Sequence, residues 1–344
     1  MRVLQIVKGP LGNSGIAQIA WNFAECFAEA GHESWLHIFD DHVIHAKYHD
    51  RLGGIIISTK KRFAERLLGR TKGFELTKSY DLVIHHVPRK SWRNAPNVEG
   101  PKIVFVYTPS CGYQSYNLDA DRVFFPSHYM KKHLVDNAGT NHSLTLLDPR
   151  HNNPDREDTV DSWRKVQKWP SDKWDVMYPP INENAFNRRV RSVAEKARQL
   201  TLPRKIHPEW RDIFENEVGE IIDFVVVSGG INSYEDRSNF WDESDVVLWC
   251  ETYDTGFGLN QYEGMFAGCV PVTLERRDAS TELARQHNFG FTFNSRMGLL
   301  RIIQDLLDKP ELVNDHSTRG LNATRELTYG PWYETFMRKI GDLL

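Results

Sequence analysis

Six short apolar runs alternate with helical patterns in the first half of the chain, and this alternation limits the possible folds most strongly. The runs are RVLQIV, SWLHIF, GIIIS, DLVIHHV, KIVFVY and RVFFPS. Between the first two, residues 16–31 carry apolar side chains at helical spacing and end at Gly31. Because strands that alternate with helices form parallel sheets with right-handed crossovers, we expect a doubly wound α/β domain. Its ligands should lie at the carboxyl ends of the strands.

A second α/β domain is predicted after residue 178, because the chain of 344 residues has room for two domains and YPPINENAF has the composition of a hinge. Its predicted strands are DFVVVSGG, SDVVLWC and VPVTL, and its predicted helices include VRSVAEKARQL and MGLLRIIQDLLDK. Residues 184–222 have the pattern of helix and loop, so this domain is expected to be abbreviated. The predicted boundaries are 1–178, 179–328 and a closing helix over 329–344.

Residues 137–175 are unusually polar and contain Trp163, Trp169 and Trp174. We interpret this segment as a surface insertion with a small core of its own. An acceptor or partner surface is the alternative that the same composition allows.

The segment 251–272, ETYDTGFGLNQYEGMFAGCVPV, joins a Gly-Phe-Gly turn to a helical run and then to a strand. Glycine lets the backbone of such a turn approach a ligand closely, and a helix start directs backbone N–H groups at an anion. Glu263 lies within the helical run, where a buried carboxylate can accept hydrogen bonds from a diol such as a ribose. The segment therefore predicts a nucleotide site.

A glycine-containing loop, GPLGNSGIAQ, lies between the first predicted strand and the first predicted helix. Gly12 and Gly15 permit a tight turn, and the helix start that follows favours a phosphate. Many strand-to-helix turns need glycine for backbone reasons alone, so this loop is a weaker signal than the 251–272 segment.

The 251–272 segment resembles the donor site of retaining GT-B glycosyltransferases of the family-4 type, where two Glu residues separated by seven others surround a Gly-Phe-Gly core. Glu263 matches the second Glu, whereas Thr255 stands where the first is found. DLVIHHVP, FPSHYMKKHL, MYPPINENAF and the region around Trp332 resemble further parts of that family, in order. The N-terminal loop with Gly31-His32-Glu33 is also similar to the start of phage DNA α-glucosyltransferases.

This resemblance implies two Rossmann-like, doubly wound domains that face a central cleft. It also implies a nucleotide-sugar donor, expected to be UDP-linked, with no metal and no further cofactor. Glu263 is expected to hold the ribose. Donor contacts are expected at Gly256, Phe257, Gly258, Leu259, Ser14, Gly15, Arg204 and Lys205.

The cationic pair that neutralises the donor diphosphate follows, in that family, a strand that opens the second domain. No such strand is evident here, so Arg204-Lys205 and Arg188-Arg189 are both candidates, and either pair can instead be solvated surface. The expected catalytic residues are Thr255, Asp254 and His86. His86, which ends the DLVIHHV strand next to His85, can contact a sugar or serve as a structural histidine.

Basic residues suggest a polyanionic acceptor that docks on the first domain. Residues 1–180 contain 24 Lys and Arg against 20 Asp and Glu, whereas the remainder contains 19 against 26. Residues 60–72 form a basic amphipathic pattern suited to a phosphate backbone or an anionic lipid surface, although such charges also solvate ordinary helices. The expected acceptor contacts are Lys60, Lys61, Arg62, Arg89, Lys90, Trp92 and Arg93.

The sequence thus predicts a cytoplasmic retaining glycosyltransferase that acts on a hydroxymethylated pyrimidine in phage-type DNA. The alternatives are a lipid or surface polysaccharide acceptor, a non-catalytic GT-B protein and, more remotely, a nucleotide-sugar epimerase. No apolar run approaches the roughly 18–20 residues that a membrane span requires.

Overall fold

The computed structural model describes residues 1–8, 15–39, 54–58, 79–87, 98–107, 120–136, 171–200, 206, 208–227, 234–250, 257–275 and 279–344. The chain divides into two compact units. Unit 1 comprises Met1–Pro180 with Tyr329–Leu344, and unit 2 comprises Ile181–Thr328. Within the described ranges, none of the helices has the length and apolar character needed to cross a membrane.

Unit 1 is built on a seven-stranded sheet with the order β3-β2-β1-β4-β5-β6-β7, in which all neighbouring strands are parallel. All six strands predicted in the first half of the chain are confirmed. Most of the apolar side chains described for β1, β2, β4, β5 and β6 are buried in the interior of the unit. The strands are β1 Arg2–Lys8, β2 Glu33–Phe39, β3 Gly54–Ser58, β4 Leu82–Val87, β5 Lys102–Val106, β6 Arg122–Phe125 and β7 Trp174–Val176. The helices are α1 Gly15–Glu29, α2 His128–Asp136 and α10 Tyr329–Ile340, with a 3-10 turn at Ser171–Lys173.

The seventh strand corrects the predicted insertion 137–175 at its last residues, where Trp174 does not belong to a separate core. Trp174 opens β7, is 8% exposed and packs edge-to-face on Phe125 at a centroid distance of 5.5 Å. It therefore belongs to the main core of unit 1, because β6 offers it an apolar neighbour that the sequence pattern does not show. Residues 137–170, with Trp163 and Trp169, lie outside the described residues.

Helix α1 and the closing helix α10 pack together within unit 1. Gly31, with φ +81, ends the turn after α1 in a conformation that favours glycine, as the sequence pattern predicts. Phe23 of α1 meets Trp332 of α10 edge-to-face at 4.6 Å, and Trp332 Nε1 donates to the Tyr178 carbonyl at 2.6 Å. The closing helix is thus an integral part of the core of unit 1.

Unit 2 has a five-stranded parallel sheet with the order β12-β11-β10-β8-β9. The predicted strands DFVVV, VVLW and VPVTL and the predicted helix from residue 297 are confirmed. The strands are β8 Lys196–Leu200, β9 Asp223–Val227, β10 Val246–Trp249, β11 Val270–Leu274 and β12 Phe291–Phe293. The helices are α3 Pro208–Ile213, α4 Gly219–Ile221, α5 Tyr234–Asp242, α6 Leu259–Phe266, α7 Ala279–Gln286, α8 Arg296–Asp308 and α9 Pro310–Ala323, with a π-helical stretch at Phe214–Val218 and 3-10 turns at Glu183–Ala185 and Thr324–Leu327.

Strand β8 overturns the prediction of a helix over VRSVAEKARQL. Residues 187–195 lie outside helices and strands, and Lys196–Leu200 pairs with β9 on one side and β10 on the other. Ala197 and Gln199 are fully buried although Lys, Ala, Arg and Gln all favour helices. Pairing on both edges outweighs local propensity here, so unit 2 does begin its sheet with a strand.

Candidate functional site

Helix α6 is the next described helix after strand β10, and a Cβ on Gly258 would lie 3.4 Å from the ring of Trp249, the last residue of β10. The carboxyl end of a strand is where parallel sheets bind ligands. Gly258 is the residue before its first turn, and Phe257 stacks on Tyr262 with centroids 4.2 Å apart. Of the predicted donor contacts in this segment, the structure describes Phe257, Gly258, Leu259 and Glu263, and it brings them together around the start of α6. Asp254, Thr255 and Gly256 lie outside the described residues.

Gly264 allows helix α6 to approach its neighbours closely. A Cβ at this position would lie 3.2 Å from both the Trp241 ring of α5 and Val247 of β10. This spacing is tighter than ordinary van der Waals contact, so a larger residue would push α6 away from α5. The close approach brings Glu263, the neighbouring residue on α6, within reach of side chains on α5.

Glu263 is completely buried and forms an ion pair with Arg237 of α5. The Arg237 guanidinium, only 9% exposed, donates through Nη2 to Glu263 Oε2 and also to Asn260 Oδ1 at 3.2 Å. The other carboxylate oxygen, Oε1, has no hydrogen-bond partner in the described part of the chain. The residue predicted to hold the ribose is thus a buried carboxylate with one oxygen bound by Arg237 and one without a partner in the described residues.

Burial and charge act in opposite directions on the Glu263 carboxyl. Desolvation raises its pKa above the ordinary value, and the nearby Arg237 charge and the Trp241 indole lower it without cancelling that effect. The Trp241 indole N–H lies near the carboxyl, but the two groups do not satisfy the geometric criteria for a hydrogen bond. Arg237 is therefore the main group that favours the ionised carboxylate of Glu263, which is the form that accepts hydrogen bonds at both oxygens.

Gln261 is a second buried polar side chain on α6. Gln261 is 0% exposed, and neither its amide oxygen nor its amide nitrogen has a hydrogen-bond partner in the described ranges. The side chain lies beside the start of the helix, since a Cβ on Gly258 would lie 3.4 Å from Gln261 Oε1. A buried amide without partners destabilises a fold, so this residue is held at the site against a free-energy penalty.

Substituting Gln261 by leucine should therefore stabilise the free protein, by about 1 kcal/mol in the free energy of unfolding. Urea-induced unfolding of the two proteins measures the difference. Gln304→Leu, at an exposed position on α8, is the matched control and should leave stability nearly unchanged. A Gln261→Leu protein less stable than the wild type would contradict this account of the amide.

Arg191 binds the C-terminal ends of helices α5 and α6. The sequence alone does not indicate this role. Its guanidinium is buried and donates to the carbonyls of Trp241, Asp242 and Ala267 at 2.9, 2.8 and 3.1 Å. These are the last residues of α5 and the residue that ends α6, where helix carbonyls lack partners. One cation therefore holds together the C-termini of the two helices that carry Arg237 and Glu263.

The alternative diphosphate pair, Arg188-Arg189, is engaged elsewhere in unit 2. Arg188 donates to the Leu321 carbonyl at 2.6 Å and lies 4.1 Å above the Phe266 ring. Arg189 donates to the Asp242 carbonyl at 2.8 Å and pairs with its carboxylate. These contacts give both arginines structural roles within unit 2. Arg204 and Lys205 follow β8 in the sequence and lie outside the described residues.

His86 lies in a buried polar network of unit 1. Its Nδ1 is 2.8 Å from the Tyr107 hydroxyl, and its Nε2 is 2.8 Å from Gln5 Oε1. Burial, with a smaller effect from His85, lowers the pKa of His86 to about 3, so the ring is neutral at physiological pH. Because both ring nitrogens bind protein atoms, the structural alternative for His86 fits this arrangement better than a catalytic role.

Of the remaining predicted site residues, Gly15 lies at the start of α1, and the others lie in segments that the structure does not describe. Gly15 is the first residue of α1, and a Cβ on it would meet open space. Its backbone is therefore accessible at a helix N-terminus, as a phosphate contact requires. Outside the described residues lie Ser14, Lys60, Lys61, Arg62, Arg89, Lys90, Trp92 and Arg93.

Comparison with known proteins establishes the fold. No protein-family model matches the sequence, and no curated protein matches it. HepE from Anabaena, in complex with UDP and glucose, has a TM-score of 0.64 at 11% identity, with 100% of both chains covered. A TarM variant from S. aureus, in complex with fondaparinux, α-GlcNAc-glycerol and UDP, has a TM-score of 0.63 at 8% identity, covering 98% of this chain and 99% of TarM. A glycosyltransferase from Rickettsia africae has a TM-score of 0.58 at 13% identity, covering 99% and 98%. The chain has the GT-B glycosyltransferase fold predicted from its sequence.

Proposed function

We propose that the chain is a retaining glycosyltransferase that transfers a sugar from a UDP-linked donor. The observation that carries this proposal is the Glu263 carboxylate, which is buried on helix α6 with one oxygen that has no hydrogen-bond partner among the described residues. The GT-B fold supports it, since HepE and TarM, which share that fold, were solved in complexes containing UDP or UDP-glucose. The carboxylate oxygen has the chemistry to accept hydrogen bonds from ribose hydroxyl groups.

The proposed roles follow from the charge that develops during transfer. Breaking the bond between sugar and phosphate builds negative charge on the departing UDP, which cationic groups and helix N-termini stabilise. Arg204 and Lys205 are the proposed cations, because β8 provides the strand that should precede such a pair. The backbone of residues 256–259 is proposed to hold the donor sugar, with Thr255 or Asp254. Ser14 and Gly15 are proposed phosphate contacts at the start of α1.

Retention of configuration is proposed to occur without a covalent enzyme intermediate. The resemblance of residues 251–272 to retaining GT-B enzymes motivates this choice, and in that chemistry the departing phosphate accepts the acceptor's proton. No metal ion or further cofactor is part of the proposal.

The donor site is tested by thermal-shift and calorimetric measurements with UDP and a panel of UDP-sugars. We expect one UDP-sugar to raise the Tm specifically. Glu263→Gln should weaken its binding by about 10- to 100-fold, because the hydrogen bonds to a charged oxygen are lost. Glutamine is chosen because its carbonyl can still accept from Arg237 and preserve the fold.

Glu243→Gln is the matched control, since Glu243 is an exposed carboxylate just after α5. This variant should bind the donor like the wild type. Failure of every UDP-sugar to bind the wild-type protein would refute the proposed function.

For the acceptor, we propose a hydroxymethylated pyrimidine in phage-type DNA. The basic residues at 60–72 and 89–93 and the likeness of the N-terminal loop to phage DNA α-glucosyltransferases support this choice. Such an enzyme must take its target base out of the helical stack. Sugar transfer to duplexes containing 5-hydroxymethylcytosine, and none to unmodified duplexes, is the expected result. Transfer to anionic lipid or polysaccharide would favour that acceptor class instead, and donor binding without transfer to any acceptor would indicate a non-catalytic protein.

A further inference from the structure

The ion pair between Arg237 and Glu263 joins two helices of unit 2 at the candidate donor site. Arg237 lies on α5, and Glu263 lies on α6 with no exposed surface. An ionised carboxylate is strongly disfavoured in such surroundings unless a cation or several hydrogen bonds compensate for the lost water. In the described part of the chain, Arg237 is the cation that bonds to this carboxylate.

Arg237 is itself held in a fixed position. The same Nη2 atom that donates to Glu263 also reaches Asn260 Oδ1 at 3.2 Å, in the first turn of α6. The guanidinium is therefore bound to both ends of a one-turn segment of α6. This arrangement fixes the rotamer of Glu263 as well as its charge.

Only one of the two carboxylate oxygens is used in this pair. Oε2 accepts from Arg237, whereas Oε1 meets no donor in the described residues. A buried acceptor without a donor destabilises the free protein, and a ligand hydroxyl group that supplies the donor removes this penalty on binding. The two oxygens therefore have different tasks.

We infer that Arg237 is a positioning residue for donor recognition: by holding Glu263 Oε2, it presents Oε1 to the ribose hydroxyl groups and so selects ribonucleotide over deoxyribonucleotide. This inference rests on the proposed UDP-sugar function, which identifies the ligand at Glu263. Arg237 acts through the carboxylate and makes no contact with the donor.

The pH dependence of binding separates this role from simple structural support. Burial raises the pKa of Glu263, and Arg237 lowers it. Loss of the arginine charge removes one lowering effect, so the carboxyl takes up its proton at a higher pH than in the wild type. A protonated carboxyl loses acceptor capacity, so ribose selectivity falls as the pH drops through that raised pKa and returns at higher pH.

The experiment compares the Kd of UDP with that of 2′-deoxy-UDP for wild type and Arg237→Met between about pH 5.5 and pH 8.5. The wild type should prefer UDP throughout the upper part of this range. For Arg237→Met, the ratio of the Kd of 2′-deoxy-UDP to the Kd of UDP should fall about tenfold near neutral pH and recover in part as the pH rises. Arg237→Lys, which keeps the charge, should restore most of the preference. Arg301→Met, at a side chain that is 86% exposed on α8, is the control and should match the wild type.

Each outcome has a defined meaning. A folded Arg237→Met protein with the wild-type preference and pH profile would overturn the inference and leave the donor site intact. Wild-type protein that binds no UDP would overturn the proposed function and the inference with it. Should Arg237→Met fail to fold, Arg237→Gln keeps a hydrogen-bond donor without the charge, and the same shift in pH profile is required of it.

Discussion

Arg191→Met should lower the free energy of unfolding by about 3–5 kcal/mol, the largest stability effect we expect from a single substitution in unit 2. The substitution retains much of the aliphatic volume but removes one donor from each of three carbonyls, two of which Arg191 shares with Arg189 or Cys269. Those carbonyls belong to the ends of α5 and α6, where the helix itself supplies no partner. Urea-induced unfolding, followed by circular dichroism, measures the loss.

Arg189→Met is the matched control for this substitution. Arg189 also donates to the Asp242 carbonyl, but its side chain is 53% exposed, so water can replace the lost bond. We expect the control to change the free energy of unfolding by less than about 1 kcal/mol. Equal losses for Arg191→Met and Arg189→Met would show that the buried guanidinium does not hold the two helices together.

The double substitution Arg204→Ala with Lys205→Ala should reduce the rate of sugar transfer by about 10²- to 10³-fold, the largest effect on activity that we expect. The reason is the negative charge that appears on UDP as the sugar leaves, which these cations are proposed to stabilise. Strand β8 supports this assignment, since it ends four residues before Arg204. The measurement is kcat with saturating donor and acceptor.

A control for total charge is needed, because any loss of two cations changes the electrostatic field of unit 2. Arg301→Ala with Lys309→Ala removes two exposed positive charges from α8 and the residue after it, and should leave kcat nearly unchanged. A similar loss of rate in both double variants would point to net charge rather than to a specific diphosphate contact. Unchanged kcat in the Arg204 and Lys205 variant would refute their proposed role.

The apolar runs of the sequence predicted strands well where burial alone decides the structure. All six strands of the first half and the strands at 223–227, 246–249 and 270–274 were identified, because continuous apolar segments of this length fit a sheet covered on both faces. The run KARQL is not continuously apolar, so its sequence predicts a helix. Its conformation depends on β9 and β10, which lie beyond its local sequence.

Part of the candidate site was also predictable. The Gly-Phe-Gly turn identified a helix start behind a strand, and Glu263 was correctly placed on that helix. Arg237 precedes Glu263 by 26 residues and Arg191 precedes Trp241 by 50, so no local pattern links either arginine to its partners. In the sequence, both are ordinary cations in polar segments.

The alternation of strands and helices and the glycine-containing start of α6 can be predicted from the chain alone, because they depend on local periodicity and on backbone conformations that glycine permits. The GT-B fold is implied by the resemblance of residues 251–272 to that family. The burial of polar and charged groups, and the partners they bind, depend on packing: Arg191 binds two helix ends, Arg237 binds Glu263, and His86 lies between Tyr107 and Gln5. The physical reason is that a buried charge or polar atom is tolerated only where packing brings a partner to it, and packing joins residues that are distant along the chain.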